Sequence, residues 1–199
     1  MRTLFDAALS SVEAFYKASP ELMDFVPFPD SCDLSFEPKT PRLMPAVKHF
    51  NSDESLHAGP FDNARRALLD LKDEAFWREP YKGTDLAQTF MDRFCVYELF
   101  GLEGHFKCQT TRGFIVYSTG NLYYPWHHHP AEELYFIIAG EAAFATEGNA
   151  PKLLKAGDTA FHAANQPHNM QTHDKGVLAW VQWRGDLETP PEFTDRLNE

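Results

Sequence analysis

The chain of 199 residues is poor in cysteine, short of positive charge and without a long apolar run. Its three cysteines, Cys32, Cys95 and Cys108, stand far apart and cannot all pair. They lack the close spacing of a zinc site and read as reduced thiols of a cytoplasmic protein. No stretch approaches the ~20 consecutive apolar residues that cross a bilayer. Met1 to Phe15 is not a secretory signal, because Asp6 and Glu13 interrupt what would have to be an apolar stretch. Eighteen basic residues against 29 acidic ones leave a formal net charge of −11, which speaks against nucleic acid or an anionic membrane as partner. Disordered and low-complexity classes are excluded as well, since 43% of the residues are hydrophobic and 14% aromatic.

Histidine is the residue present in suggestive number: nine in all, three of them consecutive at His127, His128 and His129. Around that run the chain divides into two patterns. Leu4, Ala8, Val12 and Phe15 recur at helical spacing until Pro20. Val26 to Pro45 is a Pro-rich connector, and two further helices are predicted over Phe61–Trp77 and Asp85–Phe100. After Gly104 the period shortens to strands. These are predicted within Phe106–Ser118, Leu134–Ala145 and Val177–Trp183, with a hairpin over Leu153–His162 turning at Lys155-Ala156-Gly157-Asp158. The expected fold is mainly β, a small antiparallel barrel or jelly roll behind an N-terminal helical region. Residues 1–105 form that helical region with its connector, and residues 106–199 form the β-domain.

His127 and His129 lie two apart, so on a strand they leave the same face. Glu133 and Tyr135 share a face in the same way, one turn later. If the bend at Pro130-Ala131 folds the chain back, two imidazoles and a carboxylate converge, which is three quarters of a transition-metal site. His168, after the turn over Ala163 to Pro167, is the best candidate for a further ligand. His128 points the other way, and Glu132 reads as solvated. His162 and His173 have no evident partner. Leu134, Phe136 and Ile138 form the opposite, apolar face, which must be covered by the helices or by a second subunit, leaving a homodimer open.

The spacing His127-x-His129, three residues, Glu133, six residues and Gly140 resembles the first motif of the cupin superfamily. Gly157 and His168 keep the separation of the second motif, although Ala163, Asn165 and Thr172 replace its usual Pro, Gly and Asn. The run HHHPAEELYF, the helical N-terminus and the length together are similar to the dimethylsulfoniopropionate lyases of the DddQ type. That resemblance implies cleavage of a small sulfonium carboxylate to acrylate and dimethyl sulfide, with one divalent metal ion and a tyrosine base. Carried across by position, it implies His129, Glu133 and His168 as metal ligands, with His127 a further ligand or a substrate contact. It makes Tyr135 the base and Tyr124 a second pocket tyrosine.

Elimination needs these residue types for a physical reason. The leaving group is neutral and good, so the hard step is removal of a weakly acidic proton. A phenol with pKa near 10 is a poor base at neutral pH, and lowering it by two to three units takes roughly 3–4 kcal/mol of preferential stabilisation of the phenolate. A nearby divalent cation, whether zinc, iron, manganese, cobalt or nickel, is a sufficient source. The sulfonium is a fixed cation without a donor, so its complement is an aromatic wall. Tyr123, Tyr124, Trp126, Trp180 and Trp183 are candidates, and the alternation Val177, Ala179, Val181, Trp183 favours Trp183 as the substrate contact. Taken singly, Tyr124 and Trp183 also suit ordinary packing. A ferrous cupin dioxygenase and a non-catalytic small-molecule-binding cupin are the competing functions.

Overall fold

A computed structural model describes residues 2–57, 59–80 and 87–195. Helix α1 (Arg2–Ala18) buries the stripe Phe5, Ala8, Val12, Phe15 and Tyr16. Ser19 then caps α2 (Pro20–Phe25), its hydroxyl accepting from the Leu22 N–H with Pro20 in the first helical position. Two further helices are α3 (Asp62–Leu69) and α4 (Ala87–Met91). No helix among the described residues is long and apolar enough to cross a membrane.

The strands are β1 (Ser35–Phe36), β2 (Trp77–Arg78), β3 (Phe94–Gly101), β4 (Phe106–Lys107), β5 (Arg112–Ser118) and β6 (Tyr123–His128). They continue with β7 (Glu132–Thr146), β8 (Lys152–Lys155), β9 (Thr159–His162), β10 (His168–Gln171), β11 (Val177–Arg184) and β12 (Glu192–Phe193). Hydrogen bonding follows the order β1-β4-β3-β5-β11-β7-β10-β6-β12, with β2 on β3 and both β8 and β9 on β7. The fold is mainly β, a largely antiparallel jelly roll with helices packed outside it.

Strand β7 organises the molecule. Its first half lies between β11 and β9, and its second half lies between β10 and β8. The changeover falls at Gly140, whose φ of 75° is a left-handed conformation that glycine adopts without steric cost. Along the first half, Glu133 and Tyr135 alternate with Leu134, Phe136 and Ile138, all of them buried. Phe136 stacks on Phe15 of α1 (ring centroids 5.1 Å apart) and meets Phe61 edge-on at 5.0 Å. The apolar face of β7 is thus covered by helical and loop segments of the same chain.

Three predicted elements differ. The helix over Asp85–Phe100 is α4 followed by strand β3, residues 81–86 lying outside the described ones. Seven of the eight residues of β3 are buried, so both faces are apolar and a helical spacing of Phe90, Phe94 and Tyr97 arises without a helix. The helix over Phe61–Trp77 stops at Leu69, after which turns deliver Trp77 to β2. The hairpin over Leu153–His162 is absent: β8 and β9 run on in one direction, each pairing with β7, and Lys155–Asp158 is a turn between them. Gly157 N–H donates to Ile137 O and Ile137 N–H to Asp158 O, which holds that turn against β7.

Candidate metal centre and pocket

Glu133 is the hub of the site. It is cross-strand partner to Trp183 on β11 and to His162 on β9, so all three side chains project to the same side of the sheet. Trp183 Nε1–H donates to Glu133 Oε1 at 2.7 Å, and His162 Nδ1 lies 2.7 Å from Oε2. His129 Nε2 approaches Oε1 to 3.5 Å and His168 Nε2 approaches Oε2 to 3.2 Å. His129, Glu133 and His168 each offer a ligand atom within 4.8 Å of the other two, and all three are buried.

The histidine rings are oriented by backbone carbonyls. His129 Nδ1 lies 2.9 Å from Ala131 O, His168 Nδ1 2.8 Å from Gln166 O, and His127 Nδ1 2.8 Å from Pro125 O. A carbonyl only accepts, so Nδ1 carries a proton in each ring, and Nε2 is the nitrogen left to take up a metal ion or a second proton. The Nε2 atoms of His129, His162 and His168 are buried without a hydrogen-bond partner. Orphaned basic nitrogens beside a buried carboxylate are costly unless something binds them. Two imidazoles and a carboxylate suit a first-row divalent ion, so the residues present fit a metal.

The electrostatics agree. Burial pushes the Glu133 carboxyl up, but the positive charge of His129 and the imidazoles around it outweigh burial and hold it well below the usual carboxylate range. His129 moves the other way: burial opposes its charge, yet the Glu133 carboxylate raises its pKa above the ordinary value. Burial, reinforced by the neighbouring His168, pushes His127 well below the ordinary imidazole value. The same two causes bring His162 down to about 4.

Each residue singled out in the sequence has a definite place. Glu133, Tyr135, Trp183 and Tyr124 line a cavity of about 270 Å³ together with Phe94, Phe114 and Arg112. Tyr135 is buried, its ring 5.0 Å from Phe144 and 5.7 Å from His162. His127 stacks on Tyr124 at 4.1 Å and meets His168 edge-on at 4.2 Å, but it stands outside the His129–Glu133–His168 set. Of the other aromatics, Tyr123 is largely exposed, and Trp180 is buried against Phe15 and Phe100 on the helical side. His128 bonds Thr194, and Glu132 pairs with Arg184.

Two features leave no trace in the spacing of residues along the chain. His162 is joined to Glu133 only through the β7–β9 register, at a separation of 29 residues. Arg112 forks onto the buried Glu98 at 3.0 and 2.7 Å and donates to Leu187 O at 2.6 Å. That bond ties the cavity wall to the segment carrying Glu188, Pro190 and Pro191, which also line the cavity.

Residues 33–179 match the family model of dimethylsulfoniopropionate lyase. The dimethylsulfoniopropionate lyase DddQ of Ruegeria pomeroyi is 42% identical over 190 residues, which is 96% of this chain and 94% of that protein. The chain belongs to the dimethylsulfoniopropionate lyase family. Membership of that family makes it a carbon–sulfur lyase. A crystal structure of DMSP lyase DddQ from Ruegeria pomeroyi DSS-3 superposes with a TM-score of 0.93 at 41% identity, covering 98% of each chain. A structure reported for the DMSP lyases RdDddP and RnDddQII superposes at 0.91 with 32% identity, covering 97% of this chain and 98% of that one. The family likeness therefore extends over the N-terminal helices as well as the jelly roll.

Proposed function

We propose that this chain cleaves dimethylsulfoniopropionate to acrylate and dimethyl sulfide by β-elimination, with Tyr135 as general base. His129, Glu133 and His168 would hold one divalent transition metal ion. Bound there, such an ion supplies positive charge that favours a phenolate and polarises a substrate carboxylate. The observation that carries this reading is the convergence of Tyr135 with Glu133 on one face of β7, lining a single aromatic-walled cavity.

The chain's own residues account for the rest. Tyr135, as phenolate, takes a proton from the carbon next to the substrate carboxylate. The electrons of that C–H bond form the double bond of acrylate while the C–S bond breaks and dimethyl sulfide leaves with its electron pair. The phenol then returns its proton to solvent. Trp183, Tyr124, Phe94 and Phe114 offer ring faces to the sulfonium, which no hydrogen bond could hold. Trp183 has a second task, since its indole N–H steadies Glu133. His127, stacked on Tyr124 and edge-on to His168, would serve as a further ligand or as a substrate contact.

The test is headspace detection of dimethyl sulfide from metal-reconstituted protein, under air and under argon, with acrylate measured in parallel. Equal release in both gases, in equimolar amount with acrylate, is expected. Absence of dimethyl sulfide from reconstituted protein, or turnover that requires oxygen, overturns the proposal; the latter outcome would point to a dioxygenase.

A further inference from the structure

We infer that His162 is a positioning residue for Glu133: its Nδ1–H, opposite the indole N–H of Trp183, fixes the carboxylate plane so that the remaining lone pairs face His129 and His168. The inference rests on the proposed metal site and adds a part to it that lies outside the ligand set.

Register is the first support. Glu133 stands in the middle of three adjacent strands, with Trp183 directly across on β11 and His162 directly across on β9. Each neighbour contributes one N–H to one oxygen, at 2.7 Å in both cases. A carboxylate gripped from both sides has lost rotation about its terminal bond. One lone pair of each oxygen is taken by a donor, and those remaining are left for a metal ion shared with the Nε2 atoms of His129 and His168.

Burial is the second. His162 is 1% exposed and Glu133 3%, so water cannot replace the donor if the imidazole is removed. The ring of His162 also lies 3.9 Å from that of His168, at an interplanar angle of 14°. His162 therefore contacts two of the three proposed ligands. Its Nδ1 is committed to Glu133, and it is not one of the three residues whose ligand atoms cluster. A supporting role, with the donor as its active part, accounts for this placement.

Two variants separate the donor from the ring. His162→Phe keeps a ring to stack on His168 and loses the N–H. His162→Asn loses the ring and keeps a side-chain N–H close to where Nδ1 stood. Metal-stripped proteins are titrated with Co²⁺ against a chromophoric chelator, and the visible absorption of the bound cobalt is recorded. His162→Phe is expected to bind cobalt roughly 10–100-fold more weakly with shifted absorption bands, and His162→Asn to return within about three-fold of wild type. Wild-type affinity and spectrum in His162→Phe, or an Asn variant as weak as the Phe variant, overturns the role. A wild-type protein that takes up no cobalt overturns the metal site itself, a different outcome from a normal wild type with a normal Phe variant. Should the variants not fold, nitrogen NMR of the unaltered protein decides. The Nδ1 of His162 is expected to carry an exchange-protected proton with and without zinc, and an unprotonated Nδ1 overturns the inference.

Discussion

Acid should loosen the docking of α1 through a histidine outside the candidate site. His105 is 1% exposed and stacks on Phe5 of α1, with ring centroids 4.0 Å apart. Its Nε2 accepts the Phe76 backbone N–H at 3.2 Å, so the proton of the neutral ring sits on Nδ1, which is buried without a hydrogen-bond partner. A second proton would have to enter at Nε2, against a donor and in an apolar setting. Burial, with the charge of Lys39 adding to it, brings His105 down from 6.5 to about 4. Between those values the unfolded chain binds the proton and the folded chain does not, so stability is complete above pH 6.5 and falls as the pH drops towards 4. For one group with these two values the loss is about 2 kcal/mol at pH 5. Urea unfolding of metal-free protein at pH 7.5 and pH 5 measures it, with His105→Phe as reference. The variant keeps the stacking and gives up the acceptor for Phe76 N–H, a cost of about 1–3 kcal/mol that is the same at both pH values. Other titrating groups are present in both proteins and cancel in the difference. Wild type should lose about 2 kcal/mol more than the variant between the two pH values. Equal losses would refute the assignment.

Two further outcomes bear on the site and on the strand that carries it. Tyr135→Phe should lower kcat for dimethyl sulfide release by at least ~10²-fold, while metal content measured by elemental analysis stays at the wild-type level. Retained turnover would remove Tyr135 from the role of base. Gly140→Ala should lower stability by more than about 2 kcal/mol in urea unfolding, because φ is positive there and the added Cβ would run into the carbonyl oxygen of Gly176. An unchanged midpoint would mean that β7 can straighten.

The cluster of His129, Glu133 and His168 could be read along the chain because its parts are local. His129 and Glu133 are four residues apart, Tyr135 follows two later on the same face, and His168 comes at the end of a turn. Trp183 could be told from Trp180 because β11 alternates between the cavity and the helices. The supports were invisible for the opposite reason. His162 and Trp183 reach Glu133 from 29 and 50 residues away, through registers that no spacing encodes. Arg112, Glu98 and Leu187 form a tie across three distant segments. Strand β3 was hidden by its own burial, since Phe94, Cys95, Tyr97 and Leu99 put apolar groups on both faces, erasing the alternation that distinguishes strand from helix.

The alternation along the first half of β7 has a consequence for how this enzyme can change over time. The residues proposed to act and the apolar anchors interleave residue by residue, Glu133 and Tyr135 alternating with Leu134 and Phe136. A slip of one place would present the anchors to the cavity and turn Glu133 and Tyr135 towards α1. Chemistry and folding are consequently inherited as a single unit on this strand, with little freedom to vary one alone. Innovation in substrate size or charge is left to the rim, where Arg78, Pro80, Glu103, Glu188, Pro190 and Pro191 border the cavity from segments that hold none of the proposed ligands.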